Sequence, residues 1–104
     1  MGYTGAMFEI IETDHFAHWR RGLRDPGAQA RILARLRRVA LGNLGDWKPA
    51  SGDVSEMRID YGPGYRMYFM RSGAVIVVLL CGGDKRTQAA DIKRALRMAR
   101  EWKG

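Results

Sequence analysis

The sequence has one cysteine, few lysines and no long apolar run, and each shortage excludes a class of protein. A single cysteine among 104 residues forms no intrachain disulfide and builds no thiolate metal site by itself. No stretch approaches the ~20 apolar residues of a membrane-spanning helix, and residues 1–11 lack the cationic start and uninterrupted apolar run of a secretory signal. With 46% hydrophobic residues, the chain is predicted to be one globular domain in the cytoplasm, without a membrane partner.

The net charge of +7 comes mainly from arginine. Fourteen of the 18 cations are Arg and four are Lys, against 11 acidic residues. The planar guanidinium group matches phosphate oxygens, so the excess favours an anionic partner, although a GC-rich genome would produce the same bias. The cations concentrate in residues 15–45 and 85–104, whereas residues 46–84 are nearly balanced.

Apolar periodicity predicts an α+β domain in the order strand, helix, helix, strand, strand, strand, helix. The predicted elements, with a loop at 44–52, are a strand at 7–12, helices at 13–23 and 25–41, strands at 54–61, 65–71 and 74–81, and a helix at 87–102. The domain is expected to cover residues 7–104, and residues 1–6 resemble an extension from a tag or an upstream start.

Side chains at the ends of these elements support the predicted boundaries. Thr13 or Asp14 is expected to cap the first helix, Asp25 followed by proline the second, and Thr87 the last. The pair Gly82–Gly83 is expected to end the last strand, whose continuous apolar run predicts burial on both faces.

A predicted hairpin turn at 62–64 brings four polar side chains to one face of two strands. In the register that we expect, Arg58 lies directly opposite Arg66, and Glu56 lies opposite Tyr68. Two opposed cations repel each other, but an anion held between them would reverse the effect, so this face is the candidate site. The alternative is that Arg58 pairs with Glu56 or Asp60 at the surface and that Arg66 faces solvent.

Other potential sites are weaker. Lys85 and Arg86 precede a helix N-terminus, which favours anions, but an ordinary loop capped by Asp84 explains the same residues. The glycines there fit neither a Walker loop nor a dinucleotide fingerprint. His15 and His18 could reach one metal ion, yet surface histidines are the simpler interpretation, so no metal site is predicted. The lone cysteine lies at the end of an apolar strand and is expected in the core.

Five segments of the chain form recognisable motifs: GNLGDWK at 42–48, SEMRI at 55–59, GPGYRMYF at 62–69, LLCGGDK at 79–85 and QAADI at 88–92. Together they resemble the RelE/ParE toxin superfamily, and more closely the HigB-like addiction module killer proteins of bacterial type II toxin–antitoxin systems. The similarity extends from Met7 to Lys103. It implies a small curved, mostly antiparallel sheet with the helical hairpin on one side. It also implies a cognate antitoxin, usually a small helix-turn-helix protein.

The resemblance implies one of two activities. RelE- and HigB-like members cleave mRNA in the ribosomal A site by attack of a ribose 2′-OH on the adjacent phosphate, with no metal and no small-molecule cofactor. ParE-like members inhibit DNA gyrase without chemistry, and a degenerate toxin would only bind its antitoxin. The leading hypothesis is the ribosome-dependent endoribonuclease, with the ribosome and mRNA as further partners.

The resemblance also assigns roles to single residues. Arg66 corresponds to a phosphate-binding arginine, Arg58 lies where a catalytic strand lysine is found, and Lys85 matches a basic loop residue. A functional tyrosine of RelE is replaced near Asp91, and another strand lysine is replaced by Glu56. Glu56, Asp91 and Tyr68 are therefore alternative proton-handling groups, because an arginine is a poor base. The expected RNA contacts, which a solvated surface would also explain, are Lys48, Arg86, Arg31, Arg35 and Arg38.

Overall fold

The fold is a five-stranded sheet with helices on both faces. The computed structural model describes residues 7–102, so the predicted extension at 1–6 lies outside the described residues. The elements are β1 (Glu9–Glu12), α1 (Asp14–Arg21), α2 (Pro26–Ala40), β2 (Trp47–Ser51), β3 (Val54–Ile59), β4 (Tyr65–Ser72), β5 (Ile76–Asp84), a 3₁₀ turn (Lys85–Thr87) and α3 (Gln88–Glu101). No helix in this described part combines the length and apolar character needed to cross a membrane.

The strands follow the order β1-β5-β4-β3-β2 across the sheet. Neighbouring strands are antiparallel except β1 and β5, which run parallel. This arrangement confirms the predicted α+β class with a mostly antiparallel sheet. The helices α1 and α2 pack on one face, and α3 packs on the other. Strand β5 is therefore covered on both sides, which explains its continuous apolar run.

The predicted caps of the first two helices are confirmed, and the third is wrong. The Thr13 hydroxyl accepts a hydrogen bond from a backbone N–H of α1 at 3.1 Å, and the Asp25 carboxylate accepts one from α2 at 2.8 Å. Thr87 makes no side-chain cap to α3, because its hydroxyl donates to the Asp91 carboxylate instead. Asp84 caps the preceding 3₁₀ turn by accepting the Arg86 N–H at 2.8 Å.

The second correction is an additional strand. Residues 44–52 were predicted as a loop because they contain Gly45, Pro49 and Gly52, but β2 forms within them. This strand lies at the edge of the sheet and pairs with β3 alone. A proline is tolerated there because an edge strand has one side that needs no N–H donors.

The third correction concerns Gly82 and Gly83, which lie inside β5 rather than ending it. They allow groups on opposite faces of the sheet to approach the backbone closely. A Cβ atom on Gly82 would lie 2.3 Å from the Trp19 ring, and one on Gly83 would lie 1.8 Å from the Asp91 carboxylate. Both positions therefore exclude a side chain because of packing.

Candidate functional site

The β3–β4 hairpin has the predicted register. Arg58 lies opposite Arg66, and Glu56 lies opposite Tyr68. The turn between the strands uses Gly62 and Gly64, both with positive φ (56° and 81°), a conformation that other residues adopt at a cost. The hairpin therefore presents the four predicted polar side chains on the sheet face that α3 covers.

Three of the predicted cations line one cleft. Arg58 comes from β3, Arg66 from β4 and Lys85 from the 3₁₀ turn after β5, and together they border an open cleft of about 350 Å³. The remaining lining residues are Asp46, Ile59, Asp60 and Gly64. Because the three cations come from separate segments, an anion in the cleft would contact charge from several sides.

Arg58 pairs with Asp46, rather than with the Glu56 or Asp60 that the sequence offered. The guanidinium Nη2 lies 3.0 Å from the carboxylate Oδ1, and the Arg58 side chain remains 37% exposed. The backbone holds the same two residues together, since the Arg58 N–H donates to the Asp46 carbonyl at 2.9 Å. An incoming anion would therefore compete with Asp46 for this guanidinium.

Arg35 supports this region from α2 instead of facing solvent. Its guanidinium donates to the Arg58 carbonyl at 2.8 Å and to the Asp46 carbonyl at 3.4 Å. Burial lowers the pKa of Arg35 from its ordinary value, and the nearby Arg38 charge acts in the same direction. The Arg35 guanidinium is therefore engaged by backbone carbonyls of the protein itself.

Arg66 is held from below by a buried carboxylate. Its Nε lies 3.4 Å from Oε2 of Glu56, and its Nη1 donates to the Gly64 carbonyl at 3.3 Å. The side chain of Arg66 is 13% exposed and that of Glu56 only 1%. Arg66 thus reaches the cleft with one part of its guanidinium while another part neutralises Glu56.

All three proton-handling candidates are buried. Besides Glu56, Tyr68 is fully buried, and Asp91 is 4% exposed. The Tyr68 hydroxyl finds no hydrogen-bond partner among residues 7–102, and burial, reinforced by the Glu56 charge, raises its pKa. Asp91 accepts the Thr87 hydroxyl and lies 3.6 Å from Arg94. None of the three lines the cleft.

Asp46 and Asp60 are site residues that sequence reasoning missed. Both line the cleft, although the sequence offered Asp60 only as a possible surface partner of Arg58 and gave Asp46 no role. The signal for Asp60 was its position two residues after Arg58, directly beyond the end of β3. The signal for Asp46 was its place in the GNLGDWK motif, but its contact with Arg58 depends on the strand pairing of β2, which the sequence did not predict.

The predicted RNA contacts are scattered over the surface. Lys48 is exposed on β2 and pairs in register with Glu56. Arg86 is exposed beside the cleft turn and forms a 3.0 Å ion pair with Asp84. Arg31 and Arg38 are exposed on α2, which packs on the opposite face of the sheet, and Arg31 stacks on the Tyr61 ring at 3.9 Å. Of the predicted α2 contacts, Arg35 therefore reaches two residues of the cleft, whereas Arg31 and Arg38 lie outside its lining.

The residues that the structure describes contain no group of three or more His, Cys, Asp or Glu side chains that could hold a metal ion. His15 and His18 are both exposed on α1. Desolvation, together with the Arg94 charge, lowers the pKa of His15.

Cys81 is buried, as predicted, and is expected to be unreactive. Its thiol donates to the Asp91 carbonyl at 3.4 Å, and burial raises its pKa to about 12. Because the thiolate is the nucleophile, native Cys81 should react with DTNB at pH 8 about 10³-fold more slowly than in guanidinium-unfolded protein. Comparable labelling rates in the two states would contradict this environment.

Comparison with known proteins identifies the family. The family model described as "Phage derived protein Gp49-like (DUF891)" matches residues 23–103, which include the whole cleft and α3. The chain belongs to the Gp49-like family. This Gp49-like chain is also 45% identical over 93 residues to an uncharacterized protein of Haemophilus influenzae, across 89% of the chain and 94% of the relative.

Membership in the Gp49-like family indicates a class of function. The family is a RelE-like family of addiction-module toxins. It indicates a toxin of a toxin–antitoxin system and implies a cognate antitoxin as the partner of this Gp49-like protein.

Proposed function

We propose that this Gp49-like protein is a HigB-like toxin that cleaves mRNA on the ribosome without a metal ion. The observation that carries the proposal is the meeting of Arg58, Arg66 and Lys85 at one open cleft. A phosphodiester that is attacked passes through a crowded, more highly charged phosphorane, and fixed cations stabilise that charge more than the charge of the ground state. Family membership supports a toxin, and the cleft supports this chemistry.

The reaction follows from the groups at the cleft wall. The ribose 2′-oxygen attacks the adjacent phosphorus, and the bond to the 5′-oxygen breaks, which yields a 2′,3′-cyclic phosphate and a 5′-hydroxyl. Arg58 and Arg66 bind the non-bridging oxygens, and the Lys85 ammonium group donates a proton to the leaving oxygen. Asp60 accepts the 2′-OH proton, because Asp46, the other carboxylate of the cleft, is engaged by Arg58.

The ribosome supplies the affinity for RNA that the cleft itself lacks. The site is open and carries two carboxylates beside its three cations, so its own affinity for free RNA is expected to be low. Four exposed cations outside the cleft, Lys48, Arg86, Arg31 and Arg38, contact RNA phosphates when the protein is bound to the ribosome. Binding therefore weakens as salt rises, by counterion release.

A ParE-like gyrase inhibitor is the second candidate, and one observation favours it. The three proton-handling groups that the sequence offered, Glu56, Tyr68 and Asp91, are all buried. A toxin that binds its target without chemistry needs no accessible base. In that case the cleft would bind a carboxylate or phosphate of the target, and messages would stay intact.

Mapping mRNA 5′ ends after expression of the chain without an antitoxin separates the two functions. We expect new ends within translated codons, and about 10²-fold fewer of them for Arg58→Ala, because one donor to the phosphorane is lost. Arg37→Ala, an exposed change on α2, is the matched control and should cut normally. Growth arrest with intact messages and inhibited DNA supercoiling would instead support the gyrase inhibitor.

A further inference from the structure

The two oxygens of the buried Glu56 carboxylate face different elements. Oε1 accepts a hydrogen bond from Gln88 Nε2 on α3 at 3.4 Å, whereas Oε2 forms an ion pair with Arg66 Nε on β4 at 3.4 Å without a hydrogen bond. A carboxylate removed from water in this way depends on its partners for the loss of solvation. The orientation of this carboxylate therefore depends on Gln88 as well as on Arg66.

We propose that Gln88 is a positioning residue that acts on Arg66 through Glu56. The amide of Gln88 fixes the carboxylate, and the carboxylate fixes the guanidinium edge that faces away from the cleft. The opposite edge is then directed at the anion. This inference rests on the proposed role of the cleft as a phosphate site and names a residue outside its lining that sets its geometry.

The position of Gln88 in the chain links two cations of the cleft. Gln88 is the first residue of α3 and follows directly on the 3₁₀ turn that begins with Lys85. Asp84 and Thr87 form a capping box around that turn. The segment that presents Lys85 therefore also carries the donor that orients Arg66, so both cations are placed by one short piece of backbone.

The same turn of α3 fixes the other neighbour of Arg66. Gly83 pairs with Arg66 in the β4–β5 register, and the Asp91 carboxylate packs directly against Gly83. The Thr87 hydroxyl donates to this carboxylate. The start of α3 thus holds the sheet on both sides of Arg66, through Gln88 toward β3 and through Asp91 toward β5.

The test compares two changes at Gln88 with a matched control. Gln88→Ala removes the amide donor, and Gln88→Glu keeps the size of the side chain but replaces the donor with a second carboxylate. Ala90→Glu adds the same charge to an exposed position of the same helical turn. The readouts are the ¹⁵N NMR resonance of Arg66 Nε–Hε, assigned with Arg66→Lys, and a titration with inorganic phosphate.

We expect both Gln88 variants to shift the Arg66 resonance toward that of a solvated arginine. Phosphate affinity should fall about fivefold in Gln88→Ala and at least tenfold in Gln88→Glu, but less than twofold in Ala90→Glu. The inference is overturned if Gln88→Glu behaves like Ala90→Glu, or if the Arg66 resonance is unchanged in both Gln88 variants. If Gln88 acted through packing alone, Gln88→Glu would keep that role, because the size of the side chain is unchanged.

The outcome is separable from that of the proposed function, because neither readout requires RNA cleavage. If the wild-type cleft binds phosphate through Arg66 and responds to Gln88 but no message is cut, the nuclease proposal fails and the positioning role stands. If messages are cut and the Gln88 variants leave Arg66 unchanged, the nuclease proposal stands and the positioning role fails.

Discussion

Arg66→Ala is expected to lose both mRNA cleavage and a large part of the protein's stability. Arg66 lies 3.4 Å from Glu56, a carboxylate that is almost completely buried. Removing the arginine leaves that charge unpaired, which should lower the free energy of unfolding by about 3 kcal/mol. Loss of a donor to the phosphorane should also reduce cleavage about 10²- to 10³-fold. Chemical denaturation and a cleavage assay measure the two losses.

A second change at Glu56 separates the two effects. In Arg66→Ala combined with Glu56→Gln, the buried charge is gone, so most of the stability should return while cleavage stays absent. Arg58→Ala is the matched control, because its partner Asp46 is more than half exposed and such pairs contribute about 1 kcal/mol or less. Equal destabilisation by Arg58→Ala and Arg66→Ala would contradict the assigned environments.

Gly83→Ala is expected to be as damaging as the loss of Arg66. An added Cβ would lie 1.8 Å from the Asp91 carboxylate and 2.8 Å from the Thr87 hydroxyl oxygen, so the start of α3 must move away from the sheet. We expect a loss of about 3 kcal/mol in the free energy of unfolding, in the range of overpacked cores, together with loss of the cleft geometry. Thermal and chemical denaturation test the first effect, and phosphate titration tests the second.

The clash can be relieved at its other partner. Gly83→Ala combined with Asp91→Ala should recover part of the stability, because the smaller side chain makes room for the added methyl group. Gly73→Ala serves as the control, since nothing lies within 4 Å and only its positive φ is strained, at a cost of about 1–2 kcal/mol. If the double variant is no more stable than Gly83→Ala alone, the packing of Asp91 on Gly83 is not the cause.

The hairpin was predictable because local rules determine it. A short glycine-containing turn and strict alternation along β3 allow few registers, so the opposition of Arg58 and Arg66 followed from the sequence. The N-caps of α1 and α2 were predictable for the same reason, since Thr13 and Asp25 bond to backbone groups two or three residues away.

The remaining features of the site depend on contacts between distant segments. The burial of Glu56 requires α3, whose Gln88 is 32 residues away in sequence. The pairing of Arg58 with Asp46 requires β2. The sequence did not predict this edge strand, because it contains a proline and is flanked by glycines. The pair Gly82–Gly83 looked like a strand end because the side chains that pack against it belong to α1 and α3.

The most direct test of the proposed chemistry is the identity of the RNA ends formed by purified protein on ribosome-bound mRNA. Attack by the 2′-OH in the cleft predicts 5′-hydroxyl and 2′,3′-cyclic phosphate ends, and loss of cleavage in the stability-restored pair Arg66→Ala with Glu56→Gln. Intact messages, 5′-phosphate ends or undiminished cleavage by that pair would contradict it.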